Sequence, residues 1–316
     1  MHRNDNTKSG AFINPQALMA IKNLEVRARI VVEGFWNGLH RSPYHGFSVE
    51  FTEYRDYTPG DDLRYLDWKL YARTDRYYIK KFEDETNLRC HLIVDNSQSM
   101  TFGSGGFSKA SYANTLAATL AYFLNSQGDA TGLLTFDEDI RDYLPARHRP
   151  GHLRLLMLAL EKPAGGHSTD LTAPLKRIVE VIKKRGLLIV ISDLFAPVDA
   201  LERGLSNLRA AGHDVIVFQV MDPAEVSLDF QNASMFRDVE SGRTLYIDPS
   251  VARAEYKLRL GQHLESVEKS CSKLGIVCMR LTTDRPLELA LFDFLRARMQ
   301  RNKHSRAIMR QAATAA

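Results

Sequence analysis

The chain has 316 residues, enough for one large core or two modest ones, and its 44% hydrophobic and 25% charged residues are those of ordinary globular proteins. With 42 Lys plus Arg against 38 Asp plus Glu, the net charge of +4 is too small to argue by itself for a nucleic-acid partner. Three cysteines (Cys90, Cys271 and Cys278) without paired CxxC spacing argue against a disulfide framework and a zinc site, and no apolar run approaches the ~20 residues of a membrane helix. With a polar start and no signal-peptide core, the expectation is a cytoplasmic protein.

In chain order, Pro15 to Trp36 reads as a helix with charges on one face, and Phe47 to Tyr57 and Tyr77 to Glu85 as extended segments. Arg89 to Asp95 is a short apolar strand. Ser108 to Gln127 is a helix whose Ala113, Leu116, Ala117, Leu120, Phe123 and Leu124 share a face. Asp129 to Phe136 and Ile140 to Leu144 are strands; His152 to Leu160 and Leu171 to Lys184 are helices. Gly186 to Asp193 is apolar on both faces, as a central parallel strand is. Val198 to Ala211 is a helix stopped by Gly212, and His213 to Val220 is another buried strand. A hairpin over Met235 to Ile247, a long helix from Ala252 to Leu274, a strand from Ile276 to Leu281 and a helix from Pro286 to Met299 complete the pattern. Strands alternating with helices predict an α/β fold, a mostly parallel sheet covered on both faces, preceded by an N-terminal helix and extended-segment addition. The expected division is an N-terminal region over 1–86, the α/β domain over 87–300 and a basic tail over 301–316.

The chemistry centres on Asp95-Asn96-Ser97-Gln98-Ser99-Met100, directly after an apolar strand. An extended exit turns Asp95, Ser97 and Ser99 the same way, at the sheet end where open parallel sheets bind ligands. A carboxylate and two hydroxyls are hard donors, suited to Mg²⁺, Mn²⁺ or Ca²⁺. Thr169, in the loop led by Gly165-Gly166, and Asp193, closing the strongest strand, stand where the same topology needs further ligands. Five such side chains leave an octahedral ion an open position for a carboxylate from another molecule. The bland alternative is that Asp and Ser at strand ends merely cap helices and form turns.

The set Asp95, Ser97, Ser99, Thr169 and Asp193 resembles the metal-ion-dependent adhesion site of von Willebrand factor A domains, over roughly residues 88–300. Upstream, Glu50 to Arg73 is dense in charges and aromatics. Read by itself it is a structural clamp, with an exposed recognition surface as the alternative. Its Phe51, Glu53, Arg55, Tyr57, Gly60, Asp61, Asp62, Arg64, Asp67, Trp68, Ala72 and Arg73, followed by the metal motif, resemble domain-of-unknown-function family fifty-eight. Those are von Willebrand A-like proteins encoded beside MoxR-type AAA+ ATPases, and this chain is similar to their short, soluble subgroup. The resemblance implies an adaptor for such an ATPase, binding a client's Asp or Glu through a divalent cation, most simply Mg²⁺, without catalysis.

Other readings fall away or stay as alternatives. Gly103-Ser104-Gly105-Gly106 with Lys109 lacks the GxxxxGK[ST] spacing of a phosphate loop and reads as a turn. No GxSxG elbow is present, and an Asp-nucleophile phosphatase would need a second aspartate where Ser97 stands. His148 and His152 are separated by Pro150-Gly151, and His167 is taken as a loop residue. A metal-assisted hydrolase using the same cation, and nucleic-acid binding through the basic tail, are the alternatives.

Overall fold

The computed structural model describes residues 12–41, 53–56, 78–81, 88–165, 172–230, 234–237 and 244–298. Helices α1 (Pro15–Met19) and α2 (Leu24–Arg41) are followed by strands β1 (Glu53–Asp56) and β2 (Tyr78–Lys81), which pair antiparallel. The continuous helix expected from Pro15 is thus two. Asn14 and Asn23 each accept a backbone N–H two or three residues on, and Asn23 caps a new helix in mid-pattern.

Next come β3 (Arg89–Asp95), a 3₁₀ turn (Gln98–Thr101), α3 (Lys109–Ser126), β4 (Ala130–Phe136), β5 (Ile140–Arg147), α4 (His152–Leu160) and α5 (Thr172–Val181). The chain continues through β6 (Leu187–Ser192), α6 (Val198–Ala210), β7 (Asp214–Met221) and α7 (Pro223–Ser227). A small β8 (Ser234–Arg237) and β9 (Thr244–Ile247) hairpin precedes α8 (Pro249–Lys273), β10 (Val277–Thr282) and α9 (287–298).

The main sheet has six strands in the order β10-β7-β6-β3-β4-β5, all parallel except β5, which runs antiparallel to β4 at one edge. Strand alternation divides the apolar side chains between two layers. Leu92, Val94, Ile189, Ile191 and Phe218 pack with α1, α2, α3, α4 and α9. Ile93, Val190, Val215 and Val217 pack with α5, α6 and α8. Helices therefore cover both faces, as a both-face apolar parallel sheet requires. The N-terminal α2 is part of the first layer: Ala28, Val31, Val32 and Phe35 are buried in it, and Phe35 meets Phe123 edge-on with ring centroids 6.0 Å apart.

From β3 the chain moves outward to β4, and β6 later returns on the other side of β3. The carboxyl ends of β3 and β6 therefore flank a topological switch point, the place where such sheets leave a crevice. Among the described residues, no helix is long and apolar enough to cross a membrane.

Candidate metal centre

Asp95 is the last residue of β3 and is fully buried. Its Oδ1 accepts the Ser97 N–H at 2.9 Å, and its Oδ2 accepts the Ser192 hydroxyl at 2.5 Å from the neighbouring strand end. Asn96 N–H donates to Phe136 O at 2.7 Å, tying the motif to β4. The chain then leaves the extended conformation, because Ser97 precedes the 3₁₀ turn that contains Ser99. An extended exit was the expected way of aligning the three side chains, and the turn replaces it. It brings the two hydroxyls together, with Ser97 Oγ and Ser99 Oγ 3.2 Å apart.

Asp193 follows β6 and is also fully buried. Its Oδ1 accepts the Phe195 N–H at 3.2 Å, and its main-chain O accepts the Gln219 amide at 3.1 Å. The next residue, Leu194, has φ 58°, a left-handed conformation unusual for a residue with a Cβ. Its N–H donates to Ser192 Oγ at 3.0 Å, and its O lies 3.0 Å from His263 Nε2 of α8. These bonds hold the tight turn that fixes Asp193 at the rim.

The charge in this pocket is unbalanced. Burial, reinforced by the Asp193 charge, pushes the Asp95 carboxyl up to about 7, against the opposing pull of hydrogen bonds from Ser192 and Ser97. Lys109, the first residue of α3, has no exposed surface, and its Nζ donates to Asp193 Oδ2 at 2.9 Å and to Glu225 Oε1 at 2.6 Å. Burial alone would lower this ammonium, but Asp193 and Glu225 outweigh that and hold it above its ordinary value. Glu225 is itself raised, chiefly by burial. It belongs to the capping box of α7: its Oε2 accepts the Asp222 N–H at 2.9 Å, while Asp222 Oδ1 accepts the Ala224 N–H at 2.8 Å. Asp222 also receives the Ser104 N–H at 2.9 Å and the Ser104 hydroxyl at 2.5 Å, so the Gly-rich turn is clamped to the end of β7.

Four of the five expected ligands, Asp95, Ser97, Ser99 and Asp193, therefore stand at the carboxyl ends of adjacent strands. Thr169 lies outside the described residues, but Gly165 N–H donates to Asn96 O at 3.1 Å, so the segment leading to it starts against the motif. Of the upstream signature, Arg55 lies on β1 opposite Ile79. Tyr57, Gly60, Asp61, Asp62, Arg64, Asp67, Trp68 and Arg73 lie outside the described residues. Sequence reasoning missed Lys109, Glu225, Asp222, Ser104 and the anchoring role of Ser192. Lys109 did carry a signal: with Ala113, Leu116 and Leu120 it falls on the apolar face of its helix, where a lysine is retained only if paired.

Among the described residues no group of three or more His, Cys, Asp or Glu is arranged to hold a metal, so a cation here must draw on hydroxyls as well. The residues present meet that condition. Octahedral Mg²⁺ places neighbouring oxygens about 2.9 Å apart, close to the Ser97–Ser99 spacing of 3.2 Å. Hydroxyl and carboxylate oxygens are also the donors that such an ion prefers.

A six-stranded, mostly parallel sheet with helices on both faces and an acid–hydroxyl motif at its switch point defines an α/β protein of von Willebrand factor A-like type. The family model described as "Protein of unknown function DUF58" matches residues 53–266, and the chain belongs to that family. An uncharacterized protein of Mycobacterium tuberculosis is 28% identical over 295 residues, covering 92% of each chain, and one of Mycobacterium bovis matches equally. Among solved structures, an aerotolerance-related membrane protein from Bacteroides fragilis is 16% identical, covering 65% of this chain and 97% of that one, with TM-score 0.43. The SpRpn10 VWA domain is 10% identical, covering 64% and 92%, with TM-score 0.39.

Proposed function

We propose that this rim holds one divalent cation, Mg²⁺ before Mn²⁺ or Ca²⁺, and that the protein is a non-catalytic binding module. Asp95, Ser97, Ser99 and Asp193 would hold the ion, with Thr169 completing the set. When bound, the ion supplies a concentrated positive charge that captures an Asp or Glu carboxylate of a client protein. Family resemblance supplies the working partner: a MoxR-type AAA+ ATPase in the cytoplasm, with this chain as adaptor.

The observation that carries the reading is the charge of the buried cluster. At the two strand ends Asp95 and Asp193 bring two negative charges when ionised, and the ammonium beside them, Lys109, is shared between Asp193 and Glu225. Isolated buried charge is expensive, and a fold that gathers acids at one point needs a counter-ion there.

Calorimetric titration with Mg²⁺ tests the site: wild type binds, and Asp95→Ala loses the binding while keeping its fold by circular dichroism. Equal affinity in the two proteins would sink the reading. Capture of the AAA+ ATPase from a lysate of the source cell, with and without chelator, tests the partner. Phosphoester turnover with Mg²⁺ is expected to be absent from both proteins. Turnover in wild type that Asp95→Ala abolishes would favour a hydrolase instead.

A further inference from the structure

Lys109 occupies an unusual position for a lysine. Its ammonium is sealed beneath the rim, lies 5.0 Å from the centre of the Phe195 ring, and bridges two carboxylates that belong to different segments. Asp193, at 2.9 Å, is one of the side chains assigned above to the cation. Glu225, at 2.6 Å, belongs to α7, where its other oxygen closes the capping box with Asp222. The same lysine thus touches the rim on one side and a separate helix on the other.

We propose that Lys109 is an internal counter-ion that competes with the rim's cation for Asp193, and that it withdraws onto Glu225 when the cation is bound. The inference rests on the metal reading of the rim. Two positive charges drawing on one carboxylate repel each other, and in a buried, low-dielectric setting that repulsion is weakly screened. Lys109 has somewhere to go. Glu225 already holds its Nζ at 2.6 Å, so the handover needs only a lengthening of the Asp193 contact. Glu225 is also the softer partner: its side chain keeps 17% of its surface exposed, whereas that of Asp193 keeps none.

The handover carries information away from the rim. Glu225 holds the N-terminus of α7 through Asp222 N–H, and Asp222 in turn clamps Ser104 of the Gly-rich turn. The main-chain O of Glu225 accepts the Tyr256 hydroxyl of α8 at 2.6 Å. A lysine bound wholly to Glu225 tightens this assembly, and a lysine shared with Asp193 leaves it looser. Rim occupancy is thereby read at α7, on the far side of the ammonium from the client-binding position.

The test compares the Mg²⁺ dissociation constants of wild type, Lys109→Met and Glu225→Gln by calorimetry on the full chain, with thermal melts to confirm folding. Lys109→Met removes the competitor and is expected to bind Mg²⁺ about tenfold tighter, as loss of a near, poorly screened like charge requires. Glu225→Gln removes the alternative partner, leaves the ammonium on Asp193 and is expected to bind several-fold weaker. In wild type, amide hydrogen exchange over residues 222–228 slows when Mg²⁺ is added; in Glu225→Gln it does not change. A lysine with a purely packing role would shift the melts and leave these readouts alone. If Lys109→Met does not fold, Glu225→Gln and the exchange pattern decide. Mg²⁺ binding in wild type together with unchanged or weaker binding in folded Lys109→Met overturns the proposal, as does unchanged or tighter binding in Glu225→Gln. No Mg²⁺ binding in wild type overturns the metal reading itself, and this inference with it.

Discussion

Replacing Ser192 with alanine isolates the contact that joins the two halves of the rim. The hydroxyl is fully buried; it donates to Asp95 Oδ2 at 2.5 Å and accepts the Leu194 N–H at 3.0 Å. Losing a hydrogen bond to a charged group costs about 1.5–3 kcal/mol, and leaving the Leu194 N–H without its acceptor costs about 1–3 kcal/mol more. The two losses share an atom and do not add in full, so the expected destabilisation is about 3 kcal/mol. For a chain of 316 residues that is roughly 4–5 °C in melting temperature. The substitution also removes a donor that holds the Asp95 carboxyl down, so its affinity for a proton rises and its affinity for Mg²⁺ at neutral pH falls. Thermal melts in chelator, followed by Mg²⁺ titration, read both effects. A double-mutant cycle with Asp95→Asn assigns them to the pair, because contacting residues couple while distant ones add. A melting temperature within ~2 °C of wild type, or strictly additive losses in the cycle, would refute the reasoning.

Two other outcomes follow from the same coordinates. Phe35→Ala removes a fully buried ring between Trp36, Phe123 and Phe292, and is expected to cost about 3–5 kcal/mol in urea denaturation; a cost below ~1 kcal/mol would show that α2 is not part of the core. Asp95 gives the pH dependence: its folded value of about 7 lies above its ordinary 3.8, so between those limits the native state holds more protons than the unfolded one. Metal-free stability therefore falls as pH rises across that window, by about 4 kcal/mol at most, and Asp95→Asn or saturating Mg²⁺ flattens the slope; melts that are level from pH 4 to pH 7 in the metal-free wild type contradict it.

The sheet was legible because its strands carry apolar residues on both faces. Leu92 and Val94 go to one layer and Ile93 to the other, and the run from Leu187 to Ser192 is buried throughout. The placing of Asp95, Ser97, Ser99 and Asp193 at one edge of the sheet was legible because strand ends in such sheets converge on one side. The ion-pair network was not, since periodicity says which face a residue takes and not which loops meet. Lys109 is 84 residues from Asp193 and 116 from Glu225 along the chain, and only the sheet order brings them together. The same limit hid the docking of α2: its apolar stripe was visible, but not that α3 and α9 would cover it. The break before Leu24 had a local sign, Asn23, whose capping side chain competes with a continuing helix.

The backbone at Leu194 suggests how closely the fold is built around this rim. A left-handed conformation in a residue with a Cβ costs on the order of 1–3 kcal/mol and persists only where neighbours over-determine it. Here they do: Ser192 Oγ takes its N–H, and the Ala196 N–H and His263 hold its carbonyl. Glycine would adopt the same turn without strain, but Leu194 is buried in the layer formed by α5, α6 and α8, and a glycine would forfeit that packing. The turn must therefore do two things at once: bury a side chain and swing Asp193 back toward Asp95 and Lys109. A structural turn has no need of the second, since turning outward would leave the carboxylate in water at no electrostatic cost. The chain keeps a strained turn and a buried acid together, and the acid's carboxylate is met there by the Lys109 ammonium at 2.9 Å.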